Sequence, residues 1–187
     1  MWFRNGDAPA VRFTFGDRVR SDAAETVAAL RARGVAVQML TGDRQGPASA
    51  LATRAGISNW YAEVTPDEKV QRVKALTKHG HRVMMIGDGN DAGALAMAHV
   101  SIAPGSAADV SQLAADMVLR GDALLPIAEA IGVARKARKL VFENFALAAV
   151  YNAVAVPLAA LGLVNPLLAA ALMASSSLLV TINALRL

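Results

Sequence analysis

Two long stretches without a charged residue impose the strongest constraint on how this 187-residue chain can fold. They cover Phe145–Val164 and Leu167–Leu185, each about 20 residues long, and Asn165-Pro166 between them is a turn signal. A helix of that length crosses the hydrocarbon core of a bilayer. A protein of this size cannot easily cover two uniformly apolar helices. The sequence therefore predicts a membrane-spanning hairpin rather than a helical hairpin buried in a soluble core.

The charges that flank these stretches predict the orientation of the hairpin. The basic residues on its two sides are Arg135, Lys136, Arg138 and Lys139 before it and Arg186 after it. Positively charged flanks stay in the cytoplasm. We therefore expect residues 1–144 to be cytoplasmic and the turn at Asn165-Pro166 to face the other side.

The chain before the hairpin has the pattern of an α/β domain, because short apolar runs alternate with helix patterns and are joined by short loops. We predict strands at Val11–Phe15, Val35–Leu40, Trp60–Val64, Val83–Ile86, Val100–Ala103 and Asp116–Leu119. The predicted helices begin near Ser21, Gln45, Thr65, Ala92, Ser106 and Ala123. This order is typical of a parallel sheet with helices on both faces.

Polar loops follow two of these strands at their carboxyl ends, where α/β sheets collect their chemistry. One loop is Thr41-Gly42-Asp43, and the other is Asp88-Gly89-Asn90-Asp91. Two carboxylates on a short glycine-flanked loop repel each other, and a divalent cation such as Mg²⁺ removes that cost. The alternative is that Asp88 is a turn residue and that Asn90 or Asp91 caps the next helix.

Composition excludes several other classes of function. The net charge of +4 is modest and no basic stripe is interleaved with aromatic residues, so we expect no nucleic-acid partner. The absence of cysteine excludes disulfides and thiolate metal ligands within this chain.

Polar residues inside the apolar stretches need a partner, because an unpaired amide or hydroxyl in hydrocarbon is costly. The candidates are Tyr151, Asn152, Met173, Ser176 and Ser177. Such groups commonly hold helices together. A thioether beside oxygen donors could instead bind a soft cation such as Cu(I). Spacing does not distinguish the two.

The ordered set of motifs resembles the C-terminal portion of heavy-metal P-type ATPases, above all the copper-transporting members, from about residue 11 onward. The motifs are TGD at 41–43, PDEK at 66–69, GDGND at 87–91 followed by AGALA, and then spans that contain YN and MASS and end in NALRL. The segments VRFTFGDRVRSDA and INALRL are similar to the subclass linked to cytochrome oxidase assembly.

This resemblance implies a haloacid-dehalogenase-type phosphorylation domain in which ATP phosphorylates the Asp of a DKTGT motif. Hydrolysis of the aspartyl phosphate then drives a metal ion across the membrane, with Mg²⁺ as cofactor. By motif match, Asp88 would bind Mg²⁺ with Asn90 and Asp91 completing the loop, and Lys69 would neutralise phosphoryl oxygens. Phosphate contacts are implied for Thr41, Gly42 and Asp43. A path for the transported cation is implied for Tyr151, Asn152, Met173 and Ser176.

The resemblance also implies a division of the chain and a location. Residues 1–10 would be a remnant of the nucleotide-binding domain, 11–122 a partial phosphorylation domain, 123–144 a cytoplasmic linking helix and 145–187 two transmembrane helices. The protein would lie in the bacterial inner membrane, and its partners would be the missing upstream ATPase domains.

Three departures from the family pattern qualify this expectation. The chain contains no DKTGT, the loop lacks the residue that the family has between GDG and ND, and Gly93 replaces the usual proline. One residue corresponds to about 100° of helical rotation, enough to turn Asp91 away from a metal on Asp88 unless Gly89 absorbs the change. We thus expect a fragment or a truncated product. The rival functions are a catalytically inactive membrane remnant or partner-binding protein, and a membrane-anchored phosphatase, which would lack its nucleophile.

Overall fold

The computed structural model describes residues 2–6, 8–13, 19–121 and 123–187 and divides into two compact units, Met1–Pro126 and Ile127–Leu187. The strands are β1 (Trp2–Phe3), β2 (Val11–Arg12), β3 (Gln38–Leu40), β4 (Asn59–Tyr61), β5 (Met84–Ile86), β6 (Val100–Pro104) and β7 (Met117–Leu119). The helices are α1 (Ala23–Ala32), α2 (Gln45–Ala55), α3 (Pro66–Lys78), α4 (Ala92–Met97), α5 (Asp109–Ala114), α6 (Leu125–Ala160) and α7 (Pro166–Ala184).

The first unit has the predicted alternation of helices and parallel strands. β3 pairs with β4, and β5, β6 and β7 form a second ladder in that order, with parallel pairing throughout. These described strands thus form two parallel ladders, beside the separate antiparallel pair of β1 and β2. The α/β fold class predicted from the sequence is confirmed.

Several predicted boundaries differ from the structure. β3 begins at Gln38 rather than Val35, β4 is Asn59–Tyr61 rather than Trp60–Val64, and α6 ends at Ala160 rather than Val164. The first strand is only Val11–Arg12, antiparallel to β1, while Phe15 lies outside the described residues. Ser106 was the wrong residue for a helix cap, because α5 begins at Asp109 after an Ala108 cap. The backbone N–H of Ala107 donates to the carbonyl of Pro104 at 2.9 Å, so a turn separates β6 from the helix.

The start of α3 follows its sequence signal. Thr65 caps the helix, Pro66 occupies its first turn, and Thr65 and Glu68 form a reciprocal capping box. The backbone N–H and hydroxyl of Thr65 donate to the Glu68 carboxylate at 2.8 and 2.9 Å, and these bonds lower the pKa of Glu68. The first turn of α3 is therefore fixed in place.

The second unit consists of helices that are long and apolar enough to cross a membrane. The predicted linking helix and the first predicted span belong to one continuous 36-residue helix, α6, with Pro157 in its last turn. The side chain of Asn165 caps α7 by accepting from the N–H of Leu168 at 2.8 Å. Only 6% of each apolar window is buried, so neither helix packs as the core of a globule.

A polar cluster joins α6 to α7 at the end opposite the Asn165 turn. The amide of Asn183 donates to the side-chain oxygen of Asn144 at 2.9 Å, and Asn183 is only 8% exposed. The guanidinium of Arg186 donates to Asn183 at 2.8 Å and to Glu143 at 3.4 Å. Side-chain hydrogen bonds between apolar helices stabilise their association.

Asp22 has a role that its position before α1 did not indicate. Its carboxylate accepts the backbone N–H groups of Leu124 and Leu125 at 2.6 and 2.8 Å, which caps the start of α6 from 102 residues away. Burial opposes ionisation of Asp22, but the N–H groups of Leu125 and Leu124 outweigh it and lower the pKa of the carboxyl.

The lowered pKa predicts a stability contribution that depends on pH. Because the folded state favours the charged form, the contribution is present above the unfolded pKa near 3.8 and is lost as the pH falls through the folded value. In the full chain in detergent, Asp22→Asn should lower the free energy of unfolding of the first unit by about 1–2 kcal/mol at neutral pH. Urea titrations from about pH 7 to pH 3 should show this difference shrinking. Asp67→Asn, at an exposed carboxylate, is the control, and an equal loss from both variants would contradict the capping role.

Candidate functional site

The loop after β3 is closed by its own side chains. The hydroxyl of Thr41 donates to the Asp43 carboxylate at 2.7 Å and accepts the backbone N–H of Asp43 at 3.1 Å. A Cβ on Gly42 would lie 3.6 Å from the carbonyl oxygen of Val64, an ordinary contact. The loop is therefore a compact turn against the next connection of the chain.

Backbone hydrogen bonds join this loop to the connection between β4 and α3. The N–H of Thr41 donates to Tyr61 at 3.0 Å, and the N–H of Val64 returns a bond to Thr41 at 2.9 Å. The N–H of Glu63, a residue at φ 57°, donates to the carbonyl of Asp43 at 2.8 Å. The phosphate loop predicted from the sequence is thus tied to the start of α3.

Lys69 lies in the first turn of α3 and forms an ion pair with the second predicted loop. Its ammonium is 2.7 Å from one oxygen of Asp91, and the two side chains are 15% and 11% exposed. A cation in the first turn of a helix is disfavoured by the helix dipole. The Asp91 carboxylate offsets this unfavourable position, and both charges are largely removed from solvent.

Tight packing holds Asp91 over the end of β5. A Cβ on Gly87 would lie 2.6 Å from an Asp91 carboxylate oxygen and 2.7 Å from its Cβ, so no larger residue fits there without a shift. Gly89 takes a left-handed φ of 55° and begins a 3₁₀ turn over Gly89–Asp91. The turn closes with the N–H of Asp91 donating to the carbonyl of Asp88 at 3.2 Å. Gly89 therefore provides the conformational freedom that the short loop requires.

Ser111 on α5 is a site residue that sequence reasoning missed. It is fully buried, and its hydroxyl donates to the carbonyl of Gly89 at 2.6 Å. No sequence motif marks it, because the contact forms only when α5 folds back on the Asp88–Asp91 loop. The hydroxyl of Ser111 thus holds Gly89 in its left-handed conformation.

The contacts connect all three predicted loop segments. Thr41 is bonded to Val64, the next residue begins the cap of α3, and Lys69 of that helix binds Asp91. Hydrogen bonds thus join the Thr41 loop to the connection before α3, and an ion pair joins Lys69 to the Asp88–Asp91 loop. These segments are called the cluster below. That they form one phosphate site stays a prediction. The individual chemical roles of these residues stay predictions.

The donor set of the cluster fits Mg²⁺ in part. Asp88 and Asn90 are exposed at the loop surface, whereas Asp91 is buried and bound to Lys69. No group of three His, Cys, Asp or Glu side chains that could hold a metal occurs among the residues that the structure describes. Mg²⁺ is commonly bound by one or two carboxylates together with water and substrate phosphate. The chain thus provides one open carboxylate and one that is already paired.

The predicted residues of the cation path lie on the two apolar helices of the second unit. Tyr151 and Ser176 are half-buried, Asn152 is exposed and Met173 is 74% exposed. No hydrogen bond joins any two of these four, all of which lie in the described part of the chain. Their role in a cation path stays a prediction. Asn144 and Asn183 form the hydrogen bond between the helices.

Comparison with known proteins places this geometry in a family. Residues 4–100 match the family model described as haloacid dehalogenase-like hydrolase. The chain is 49% identical to nitrogen fixation protein FixI of Rhizobium meliloti over 176 residues, which is 94% of this chain and 23% of that protein. It is 43% identical to a probable copper-exporting P-type ATPase V of Mycobacterium tuberculosis over 172 residues, or 91% and 22% of the two chains.

A solved structure shows the same arrangement. A crystal structure of a zinc-transporting PIB-type ATPase matches with a TM-score of 0.85 and 34% sequence identity, over 91% of this chain and 28% of that one. The chain therefore belongs to the haloacid dehalogenase-like hydrolase family. Within it, the resemblance to heavy-metal P-type ATPases is confirmed, and with two candidate spans it indicates a membrane protein. The chain spans about a quarter of the length of the curated relatives that it matches.

Because Gly87 leaves no room for a side chain, Gly87→Ala should displace Asp91 and disturb its ion pair with Lys69. We expect a loss of about 1–3 kcal/mol in the free energy of unfolding of the first unit. Urea unfolding of the full chain in detergent, followed by the fluorescence of Trp60, measures it. The matched control is Gly46→Ala, because a Cβ there meets nothing within 4 Å. Equal effects at both glycines would contradict the packing argument.

A double-mutant cycle tests whether the ion pair stabilises the loop. Lys69→Met leaves a largely buried carboxylate unpaired and should cost about 2 kcal/mol or more. Adding Asp91→Asn should restore part of the loss, with a coupling energy of about 0.5–3 kcal/mol. Lys74→Met, at an exposed position on the same helix, should change stability by less than about 0.5 kcal/mol. Strict additivity of the two site mutations would exclude a direct interaction.

Proposed function

We propose that this chain is a segment of an ATP-driven heavy-metal cation transporter that forms an aspartyl-phosphate intermediate. In this proposal it contributes the loops that hold Mg²⁺ and the phosphoryl group, together with two membrane helices. The observation that carries the proposal is the ion pair of Lys69 with Asp91, on a helix whose start adjoins the Thr41 loop, in one chain with two exposed apolar helices. Family-level similarity to heavy-metal P-type ATPases supports cation transport as the activity.

Phosphoryl transfer needs little covalent chemistry from the protein and depends on cations placed around spreading negative charge. Lys69 carries three N–H donors, and its bond to Asp91 uses one of them. The remaining donors can contact phosphoryl oxygens while Asp91 holds the ammonium in position. The hydroxyl and backbone groups of Thr41, Gly42 and Asp43 are the proposed phosphate contacts at the neighbouring loop.

We assign Mg²⁺ to Asp88, with Asn90 beside it, because these two oxygen-bearing side chains are the exposed ones on the loop. When bound, the ion would neutralise charge on the phosphoryl oxygens. In this proposal Asp91 pairs with Lys69 and also completes the metal-binding loop. Its position depends on the close packing at Gly87 and on the hydrogen bond from Ser111 to Gly89.

Copper is the proposed cargo. The two apolar stretches of this chain contain no Cys, His, Asp or Glu, so Met173 is the soft donor that they offer, with Tyr151, Asn152 and Ser176 as oxygen or nitrogen donors. Thioether ligands favour Cu(I), whereas zinc sites in proteins use thiolate, imidazole and carboxylate. Similar proteins are named as copper-exporting, cation-transporting and zinc-transporting, so their names alone do not assign the metal. In this proposal the transporter lies in a bacterial inner membrane with residues 1–144 in the cytoplasm.

A chimaera tests the proposal directly. Residues 11–187 would replace the matching segment of a full-length copper-transporting P-type ATPase, and Cu(I)-stimulated ATP hydrolysis would be measured in proteoliposomes. Asp88→Asn in the chimaera should lower turnover on the order of 100-fold or more, because it removes the negative charge of the proposed metal ligand. Asp67→Asn, an exposed carboxylate on α3, is the matched control and should leave turnover within about twofold.

The same chimaera tests the short loop. An apolar residue inserted between Gly89 and Asn90 restores the family spacing and should raise turnover. An unchanged rate would show that the left-handed Gly89 already accommodates the missing residue. A chimaera that is inactive with and without the insertion, although folded and inserted in the membrane, would favour the inactive remnant over the transporter.

A further inference from the structure

We infer that α6 carries a binding surface for anionic phospholipid headgroups where it enters its apolar stretch. The surface, named the basic collar here, consists of Arg135, Lys136, Arg138 and Lys139 with Phe142. This inference rests on the membrane location that the proposed function includes. It concerns a lipid ligand and is independent of the transported metal.

Helical geometry places the four cations on one face. At about 100° per residue, the four positions fall within an arc of about 160°, and Phe142 lies near its centre one turn farther along. All four cations are exposed, and Phe142 is 60% exposed. The collar is therefore a continuous basic face that ends in an aromatic side chain.

A contact within the collar links one of its cations to its aromatic residue. The Arg138 guanidinium lies over the Phe142 ring at 5.5 Å from the centroid. Arg135, Arg138, Lys139 and Phe142 line an open concave surface of about 400 Å³. The planar guanidinium is suited to donate two parallel hydrogen bonds to a pair of phosphate oxygens.

The collar carries four formal positive charges. Glu143 is the acid nearest to it along the helix, and its carboxylate lies 3.4 Å from Arg186 and 3.8 Å from Lys139. The ammonium of Lys136 donates to the backbone carbonyl of Leu187 at 2.6 Å. Because Glu143 is shared between two cations, it offsets only part of the collar's charge.

Position along the helix identifies the ligand as a lipid. Phe142 and Phe145, 60% and 68% exposed, follow the cations and open the uncharged stretch. Aromatic side chains sit at the level of the headgroups, and clusters of four or more cations beside a span bind anionic lipid. The cations are thus placed for a headgroup phosphate while the rings meet the upper acyl chain.

The test measures lipid selectivity of the full chain in phosphatidylcholine vesicles that contain trace spin-labelled phosphatidylglycerol or phosphatidylcholine. At low ionic strength the wild-type chain should bind the anionic probe on the order of fivefold more tightly than the neutral one. Arg138→Gln with Lys139→Gln should bring this ratio close to one. The matched control, Lys74→Gln with Lys78→Gln, removes two exposed cations from α3 and should leave the ratio unchanged.

Further arms separate charge, lipid and membrane insertion. Arg138→Lys with Lys139→Arg should keep the selectivity, and about 1 M salt should reduce it by screening. The collar would be rejected as the lipid-binding surface if the control variant lost its lipid selectivity. It would also be rejected if the variant without Arg138 and Lys139 kept that selectivity. Inorganic phosphate that abolishes the preference when the ionic strength is held constant with sodium chloride would identify a free anion as the ligand and overturn the lipid assignment. Flotation of the chain with the vesicles reports its membrane insertion. Failure of the chain to float would refute the membrane location itself. Insertion without lipid selectivity would refute only the collar.

Discussion

The ion pair between Lys69 and Asp91 is the interaction on which the candidate site depends. It joins the first turn of α3 to the loop after β5, and it is largely shielded from water at a separation of 2.7 Å. A buried pair adds little stability over an apolar contact, but an unpaired partner is costly. The pair therefore acts mainly as a constraint, since each charge requires the other loop to be in place.

The shape of the site depends on the small size and the backbone conformation of two glycines as much as on charge. Gly87 lets Asp91 pack against the backbone at a distance that excludes any side chain. Gly89 adopts a left-handed conformation that other residues rarely take. Ser111 then binds the carbonyl of Gly89 from a neighbouring helix. A loop shorter than the family pattern thus keeps a defined shape, because small residues permit it and a distant hydroxyl fixes it.

The two units of the chain are adapted to different surroundings. The first buries its apolar residues around parallel strands, whereas the apolar windows of α6 and α7 are only 6% buried. In lipid, helices gain nothing from hiding apolar surface, and polar contacts and close packing hold them together. The bond between Asn144 and Asn183 is of that kind, and it lies at the end of the helices where the charged residues are found.

Sequence alone determined the alternation of helices and strands, the capping box of Thr65 and Glu68, and the two uncharged apolar stretches. Each is a local signal, set by periodicity, by cap chemistry or by length. The ion pair of Lys69, the cap that Asp22 provides for α6 and the contact of Ser111 with Gly89 could not be predicted. The ion pair and the Ser111 contact each join residues 22 positions apart, and the Asp22 cap joins residues 102 and 103 positions apart. Only the tertiary structure decided them, because no local pattern records which distant backbone or charge a polar side chain will meet.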